Sequence, residues 1–344
     1  MSNSDINFTP QNNWSRRDFI KTSLAGLAAG ATFISSCQTS GYGGIPYRTM
    51  GPSGIKVPIL GLGGWTIGKR SVEEAEALYV MHKAIDEGLR FFDNCWDYNA
   101  GVSEERMGKA LASPEKRDKV FVMTKPCGRL AVDAKQQLEE SLKRLKTDYI
   151  DLWMFHGIRR MEDRDLIFGK DGAMEVALQA KKEGKVRYIG FTGHQDPDYH
   201  LNMLKEDFEW DACLMPTNPF DYHYRSFQNE VLPELTKKNV GVLGMKALLA
   251  GKLTNWTDMD VKLFRRYALS LPISSLMCGI ENREQLDQDL SVARDFTPLT
   301  QKETDSLIAI AEQVDAKPLQ LEHYKRGKTG CDWHYRKYEG FEKG

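Results

Sequence analysis

Between residues 60 and 293, short apolar runs alternate with amphipathic stretches, and few folds accept that alternation. The apolar runs span 60–63, 90–93, 120–124, 151–155, 186–191, 212–215, 240–245 and 273–278. They are rich in β-branched and aromatic residues and carry almost no polar alternation, which is the pattern of parallel strands buried on both faces. The stretches between them, 72–87, 104–112, 132–145, 174–182, 201–204, 231–238, 261–271 and 283–293, place apolar residues at helical spacing. Gly88, Gly184 and Gly241 follow helices where a left-handed cap is needed. Repeated strand-then-helix units predict a closed (β/α)8 barrel rather than an open doubly wound sheet. The first run, Leu60, Gly61, Leu62, Gly63, Gly64, Trp65, crowds its glycines but lacks the G-x-G-x-x-G spacing of a dinucleotide turn. A hairpin at 47–50 and 55–58, turned by Pro52, Ser53 and Gly54, precedes the barrel. A further helix at 301–314 and a basic-aromatic tail at 323–341 follow it, to fold over its mouth or its side.

The chain has 344 residues, 41% of them hydrophobic, which supplies one large barrel. A net charge of -1 gives no electrostatic footprint for nucleic acid. The six cysteines (Cys37, Cys95, Cys127, Cys213, Cys278 and Cys331) include no C-x-x-C pair, so no metal ligand is assigned. Their density is too low for a disulfide framework, and Cys95, Cys213 and Cys278 read as buried thiols. Residues 1–37 read as an address. Arg16 and Arg17 stand before an apolar run at 24–34 that is too short to span a bilayer, the form of a twin-arginine signal. Ile34, Ser35, Ser36 and Cys37 look like a bacterial lipobox, with Cys37 as the lipidated residue and the membrane as partner. Ordinary signal-peptidase cleavage near Ala29–Gly30–Ala31 and a chance arginine pair are the rival readings. Residues 38–46 then form a linker, and 47–344 the barrel with its tail; the oligomeric state is not legible.

Four polar residues sit at or just past strand ends: Asp93, Tyr98, Lys125 and His156. Strand C-termini converge on one mouth of a barrel, so an acid, a phenol, an ammonium and an imidazole meet there as a proton-donating set. Any one of them alone would be an ordinary strand cap. Together with LGLGGWTIG, FFDNCWDY, SEERMGKAL, VFVMTK, YIDLWMFH, GKVRYIGFTGH, GVLGMKALLAGKL and CGIENREQLDQDL, they make residues 47–296 resemble the aldo-keto reductase family. The resemblance implies hydride transfer between a nicotinamide dinucleotide and a carbonyl or alcohol substrate, with Tyr98 as general acid/base. Lys125 would lower the phenol pKa, Asp93 would hold Lys125 charged and aimed, and His156 would orient the carbonyl.

The resemblance also implies cofactor contacts at Thr192, Gly193, Asn218, Met245, Lys246, Leu248, Gly251, Gly279, Glu281, Gln285 and Asp289. Leu214, Met245, Lys246 and Asp289 depart from the residues most common there. Glu281 stands where a 2′-phosphate would lie, which tilts the expectation toward NAD(H) over NADP(H), held tightly; Arg283 beside it pulls the other way. Trp65, Trp96 and His194, with the loops at 157–172 and 220–227, are expected to line a pocket suited to a sugar or polyol. Two other classes compete. A (β/α)8 hydrolase lacks its close carboxylate pair or metal cluster. An exported lipoprotein that binds the dinucleotide without turnover would have little use for an intact set of four.

Overall fold

The computed structural model describes residues 39–254 and 260–313. Arg16, Arg17 and Cys37, the tail from residue 323 and Cys331 lie outside them. Strands β1 (Thr39–Ser40), β2 (Pro46–Met50) and β3 (Ile55–Pro58) form a small antiparallel sheet. Gly51 and Gly54, with φ of 60° and 68°, supply the left-handed geometry of the β2–β3 turn. The remaining strands are β4 (Leu60–Gly63), β5 (Phe91–Asp93), β6 (Phe121–Thr124), β7 (Ile150–Phe155), β8 (Val186–Thr192), β9 (Ala212–Pro216), β10 (Gly241–Met245) and β11 (Ser275–Gly279). Each pairs in parallel with the next, and β11 returns to β4, closing the barrel that the alternation predicts.

The barrel interior is filled by Phe91, Met123, Leu152, Met154, Leu214, Leu243 and Met277, and Met50 and Val57 of the hairpin belong to the same cluster. Burying each such side chain contributes about 1.5–3 kcal/mol. The hairpin therefore plugs one end. Arg48 fixes it there by donating to the Ile273 and Leu269 carbonyls at 2.8 Å each. Gly51 lies against Asp211 and Gly241, where β9 and β10 begin, so the plugged end is the N-terminal one. The C-terminal end is left for a site. Residues 39–46, expected as a linker, join this base: Ile45 is fully buried, and Arg90 stacks its guanidinium 3.6 Å from the Tyr42 ring centroid.

Helices surround the strands: α1 (Glu74–Asp86), α2 (Val102–Ala110), α3 (Ala131–Leu145), α4 (Glu162–Phe168), α5 (Ala173–Lys182), α6 (Pro197–Met203), α7 (Leu232–Lys237), α8 (Val261–Ser270), α9 (Arg283–Arg294) and α10 (Gln301–Gln313). Helix α4 falls within the stretch 157–172 that the sequence reads as loop. Helix α10 packs on α8 and on the segments that follow β9 and β10, where Leu307 and Ile310 meet Phe220, Leu249, Phe264 and Tyr267. Phe220 and Phe227 are buried as packing residues, which removes them from the expected pocket wall. Among the described residues no helix is long and apolar enough to cross a membrane.

Candidate active site

Asp93 ends β5, Lys125 follows β6 and His156 follows β7, and backbone bonds carry the sheet pattern beyond the strands. Asn94 N donates to Met123 O at 2.7 Å, Trp96 N to Lys125 O at 3.0 Å and His156 N to Pro126 O at 3.0 Å. The four sequence-predicted residues meet. The fully buried Lys125 ammonium donates to the Asp93 carboxylate, to the Asn94 carbonyl at 2.5 Å and to Tyr98 Oη at 3.5 Å. The Tyr98 ring stands edge-on to His156, with centroids 5.7 Å apart, and to Trp65 at 5.4 Å on another side. Trp65 leaves 51% of its surface exposed, so one side of the phenol is walled by an indole open to solvent.

Burial raises the Tyr98 pKa well above its ordinary value, and the Asp93, Cys95 and Asp97 charges add to the rise. This reverses the expectation drawn from Lys125. Asp93 already offsets the Lys125 charge, so desolvation dominates and the phenol stays protonated. Burial likewise raises Asp93 against the pull of Lys125. His156 moves well below the usual histidine range through burial first, then the neighbouring charges of Lys125, His194, Arg129 and Arg159. The site thus presents a neutral phenol beside a neutral imidazole.

Several residues that hold this geometry were given no part in the site by the sequence. Arg144 of α3 donates to the Trp96 carbonyl at 2.8 Å and pairs with the buried Glu104 and with Glu140. Glu104 also accepts from Thr124 Oγ1 at 2.6 Å. Arg129, fully buried, donates to the His156 and Gly157 carbonyls at 2.7 and 3.0 Å and pairs with Asp163. A third group concerns sulfur. His156 Nδ1 lies 3.2 Å from Cys95 Sγ and 3.5 Å from Cys127 Sγ. Cys95, Cys213 and Cys278 are free thiols, whereas Cys127 is held in a disulfide, so one such bond exists despite the sparse cysteines.

The expected cofactor residues divide. Asn218 is fully buried; it caps the turn Pro219–His223 and donates to the Lys246 carbonyl at 3.3 Å. Lys246 is half-buried, and desolvation pushes its ammonium down to about 7. Lys246, Leu249, Ala250 and Gly251 all take positive φ, and among the described residues a Cβ on Gly251 would meet open space. Met245 borders the barrel interior and Leu248 the packing against α10. At the start of α9, the N-cap residue Asn282 accepts from Gln285 N, and the Gln285 side chain accepts from Glu281 N, both at 2.9 Å. Glu281 pairs with Lys69 and Arg283 with Glu76, while Gly279 packs on Thr66.

Other residues are spent differently. Thr192 gives its hydroxyl to the Leu214 carbonyl at 2.8 Å, and Gly193 lies against Ile158 and His200. Asp289 is fully buried and paired with Arg265, so its expected adenine contact gives way to an ion pair between α8 and α9. Trp96 donates to Glu140 at 2.6 Å and packs on Cys95 and Cys127. His194 is close enough to depress the basicity of His156.

A model of the Aldo/keto reductase family matches residues 59–321. L-galactose dehydrogenase of Arabidopsis thaliana is 26% identical over 316 residues, covering 78% of this chain and 95% of its own length. Aldo-keto reductase YhdN of Bacillus subtilis is 28% identical over 229 residues, which span 60% of this chain and 63% of YhdN. The holo form of aldo-keto reductase AKR11C1 from Bacillus halodurans shares the fold, with a TM-score of 0.63 at 22% identity, covering 78% of this chain and 96% of that one. With the family match extending over most of the barrel, the chain belongs to the aldo/keto reductase family.

Proposed function

We propose that this chain is an exported, NAD(H)-preferring reductase of small polar carbonyl compounds, with Tyr98 as the proton donor. The observation that carries the reading is the Lys125 ammonium, held against Asp93 and standing 3.5 Å from the Tyr98 hydroxyl. A bound nicotinamide would supply the hydride. The residues suited to holding the dinucleotide are Asn218, Lys246, the positive-φ turn to Gly251 and the capped start of α9, where a helix terminus favours an anion. A substrate carbonyl oxygen would accept from Tyr98 Oη and from the neutral His156 ring. As negative charge grows on that oxygen, the phenol proton moves to it, and Lys125 stabilises the phenolate left behind. Burial holds the resting phenol protonated, so the free site is poised to donate a proton, as reduction requires.

At the α9 end, Lys69 faces Glu281 and Arg283 faces Glu76, so both cations are matched by carboxylates. That supports NAD(H) over NADP(H). The half-exposed Trp65 beside Tyr98 suits the apolar face of a sugar or polyol, and the Arabidopsis relative is named for a sugar. Arg16–Arg17 and Cys37 support twin-arginine export to the periplasm and a lipid anchor. Such a route carries folded protein, and an enzyme working outside the cytoplasm gains from keeping its dinucleotide bound through turnover.

Replacing Tyr98 with Phe tests the assignment. Loss of a general acid is expected to lower turnover by about 10²–10⁴-fold while leaving dinucleotide affinity nearly unchanged. A Tyr98→Phe protein that keeps more than half the wild-type rate would overturn it.

A further inference from the structure

Behind the proposed reaction centre lie two cysteine sulfurs and the Nδ1 edge of His156, atoms to which the proposed proton transfer gives no part. Cys95 Sγ, Cys127 Sγ and His156 Nδ1 come from the segments after three successive strands, all buried, and all within 4.8 Å of one another. We propose that, once the Cys127 disulfide is reduced, these three atoms form a binding site for a thiophilic divalent cation of the zinc class.

Geometry and charge both support this. Zinc binds thiolate at about 2.3 Å and imidazole at about 2.0–2.1 Å, which at tetrahedral angles places sulfur and nitrogen about 3.5 Å apart. The two sulfurs lie 3.2 and 3.5 Å from Nδ1, so little movement is needed. Two thiolates cancel a 2+ charge, and the loaded site would add no net charge to a buried pocket. Thiolate and imidazole together select zinc over magnesium or calcium. Three protein ligands leave a fourth position for water or another donor. The backbone framework is already fixed: Arg129 holds the carbonyls of Cys127 and His156, at 3.2 and 2.7 Å.

The chemistry is a reduction followed by a proton exchange. A dithiol gives two electrons and two protons to the disulfide and closes its own sulfurs into a disulfide, so Cys127 and the sulfur bonded to it become thiols. Cys95 and Cys127 then each release a proton as their sulfur binds the cation, while His156 supplies the Nδ1 lone pair. The Cys95 thiol gives up its present contact with the Lys125 carbonyl, at 3.4 Å. A cation on Nδ1 leaves the proton on Nε2, making His156 a fixed donor. The site exists whether or not the proposed carbonyl reduction is correct, since it is read by metal content alone.

Full-length protein, reduced, freed of reductant and stripped with a chelator, is titrated with Co²⁺ and separately with Zn²⁺. The expected result is a sulfur-to-cobalt absorption band that saturates at a single ion per chain and is displaced by zinc. The band should fall by more than about tenfold in Cys95→Ser and Cys127→Ser and persist in Cys213→Ser, because the thiolate is the ligand. X-ray absorption of zinc-loaded wild type, which needs no variant, should show two sulfurs at about 2.3 Å and one imidazole nitrogen. Absence of the band in reduced wild type, its survival in Cys95→Ser, or zinc held only by oxygen and nitrogen would each overturn the site. An equal band in unreduced protein would overturn the requirement for reduction.

Discussion

Lys125 is fully buried and surrounded by oxygens of Asp93, Asn94 and Tyr98, so in the proposed mechanism its charge serves the proton donor and the fold at once. Removing one partner of a buried pair costs about 3–5 kcal/mol, because the other charge is stranded. Lys125→Met is therefore expected to lose both activity and stability. Adding Asp93→Asn should recover much of the stability, measured by denaturant unfolding, and none of the turnover. Recovery of turnover in the double variant would mean that Lys125 acts only structurally. Lys246 offers a pH test. Its free-state pKa is about 7, and a phosphate placed beside the ammonium would raise it, so binding takes up a proton. Dinucleotide affinity should be greatest below pH 7 and fall as pH rises through 7 toward the raised value, by up to about tenfold per unit. In Lys246→Met the profile should flatten; a flat wild-type profile contradicts the assignment. Asp93, Tyr98, Lys125 and His156 were legible because each stands at a strand end within a motif. The Tyr98 pKa was not, because desolvation depends on what covers the ring, and Asp289 misled because its partner Arg265 lies on another helix.

At the scale of elements, the segment after β5 does the most work. Asn99, Ala100 and Gly101 take φ of 52°, 55° and 95°, turning the chain back so that Tyr98 faces His156 while α2 begins. Arg144 of α3 clamps the turn through the Trp96 carbonyl. Arg144→Met is expected to lower turnover by about tenfold or more, since displacement of a reacting group by about 1 Å costs up to 10²-fold. Circular dichroism should remain that of the wild type; an unaltered rate would show that the turn holds itself. Gly101→Ala places a methyl 2.7 Å from Arg144 Cζ at a left-handed φ, for an expected loss of about 1–3 kcal/mol in unfolding. The barrel strands were legible because buried parallel strands are continuously apolar. Helix α4 was not: it is short and acidic, and Ile167 is its only fully buried apolar residue. Neither were Arg144 and Arg129, whose roles arise only when separate strand–helix units meet.

For the molecule as a whole, closure of the barrel and the Met50–Val57 plug leave the C-terminal mouth as the natural place for chemistry, and the proposed donors gather there. That architecture was legible from the eight-fold alternation. The meeting of Cys95, Cys127 and His156 was not, because ligand spacing along the chain says nothing about residues brought together by ring closure. The proposed address adds a cellular expectation: Cys37→Ala should move the protein from the membrane to the soluble fraction, and Arg16–Arg17→Lys–Lys should block export. Equal membrane partitioning of wild type and Cys37→Ala would contradict the lipid anchor. Isotope labelling follows the hydride itself. Purified wild-type protein is stripped of bound dinucleotide, reloaded with NADH deuterated at the transferable C4 position and given a sugar aldehyde or ketone, and the product alcohol is examined by mass spectrometry. Deuterium is expected on the former carbonyl carbon, appearing about 10²–10⁴-fold more slowly in Tyr98→Phe. Alcohol without label, or label arriving equally fast in both proteins, would contradict it.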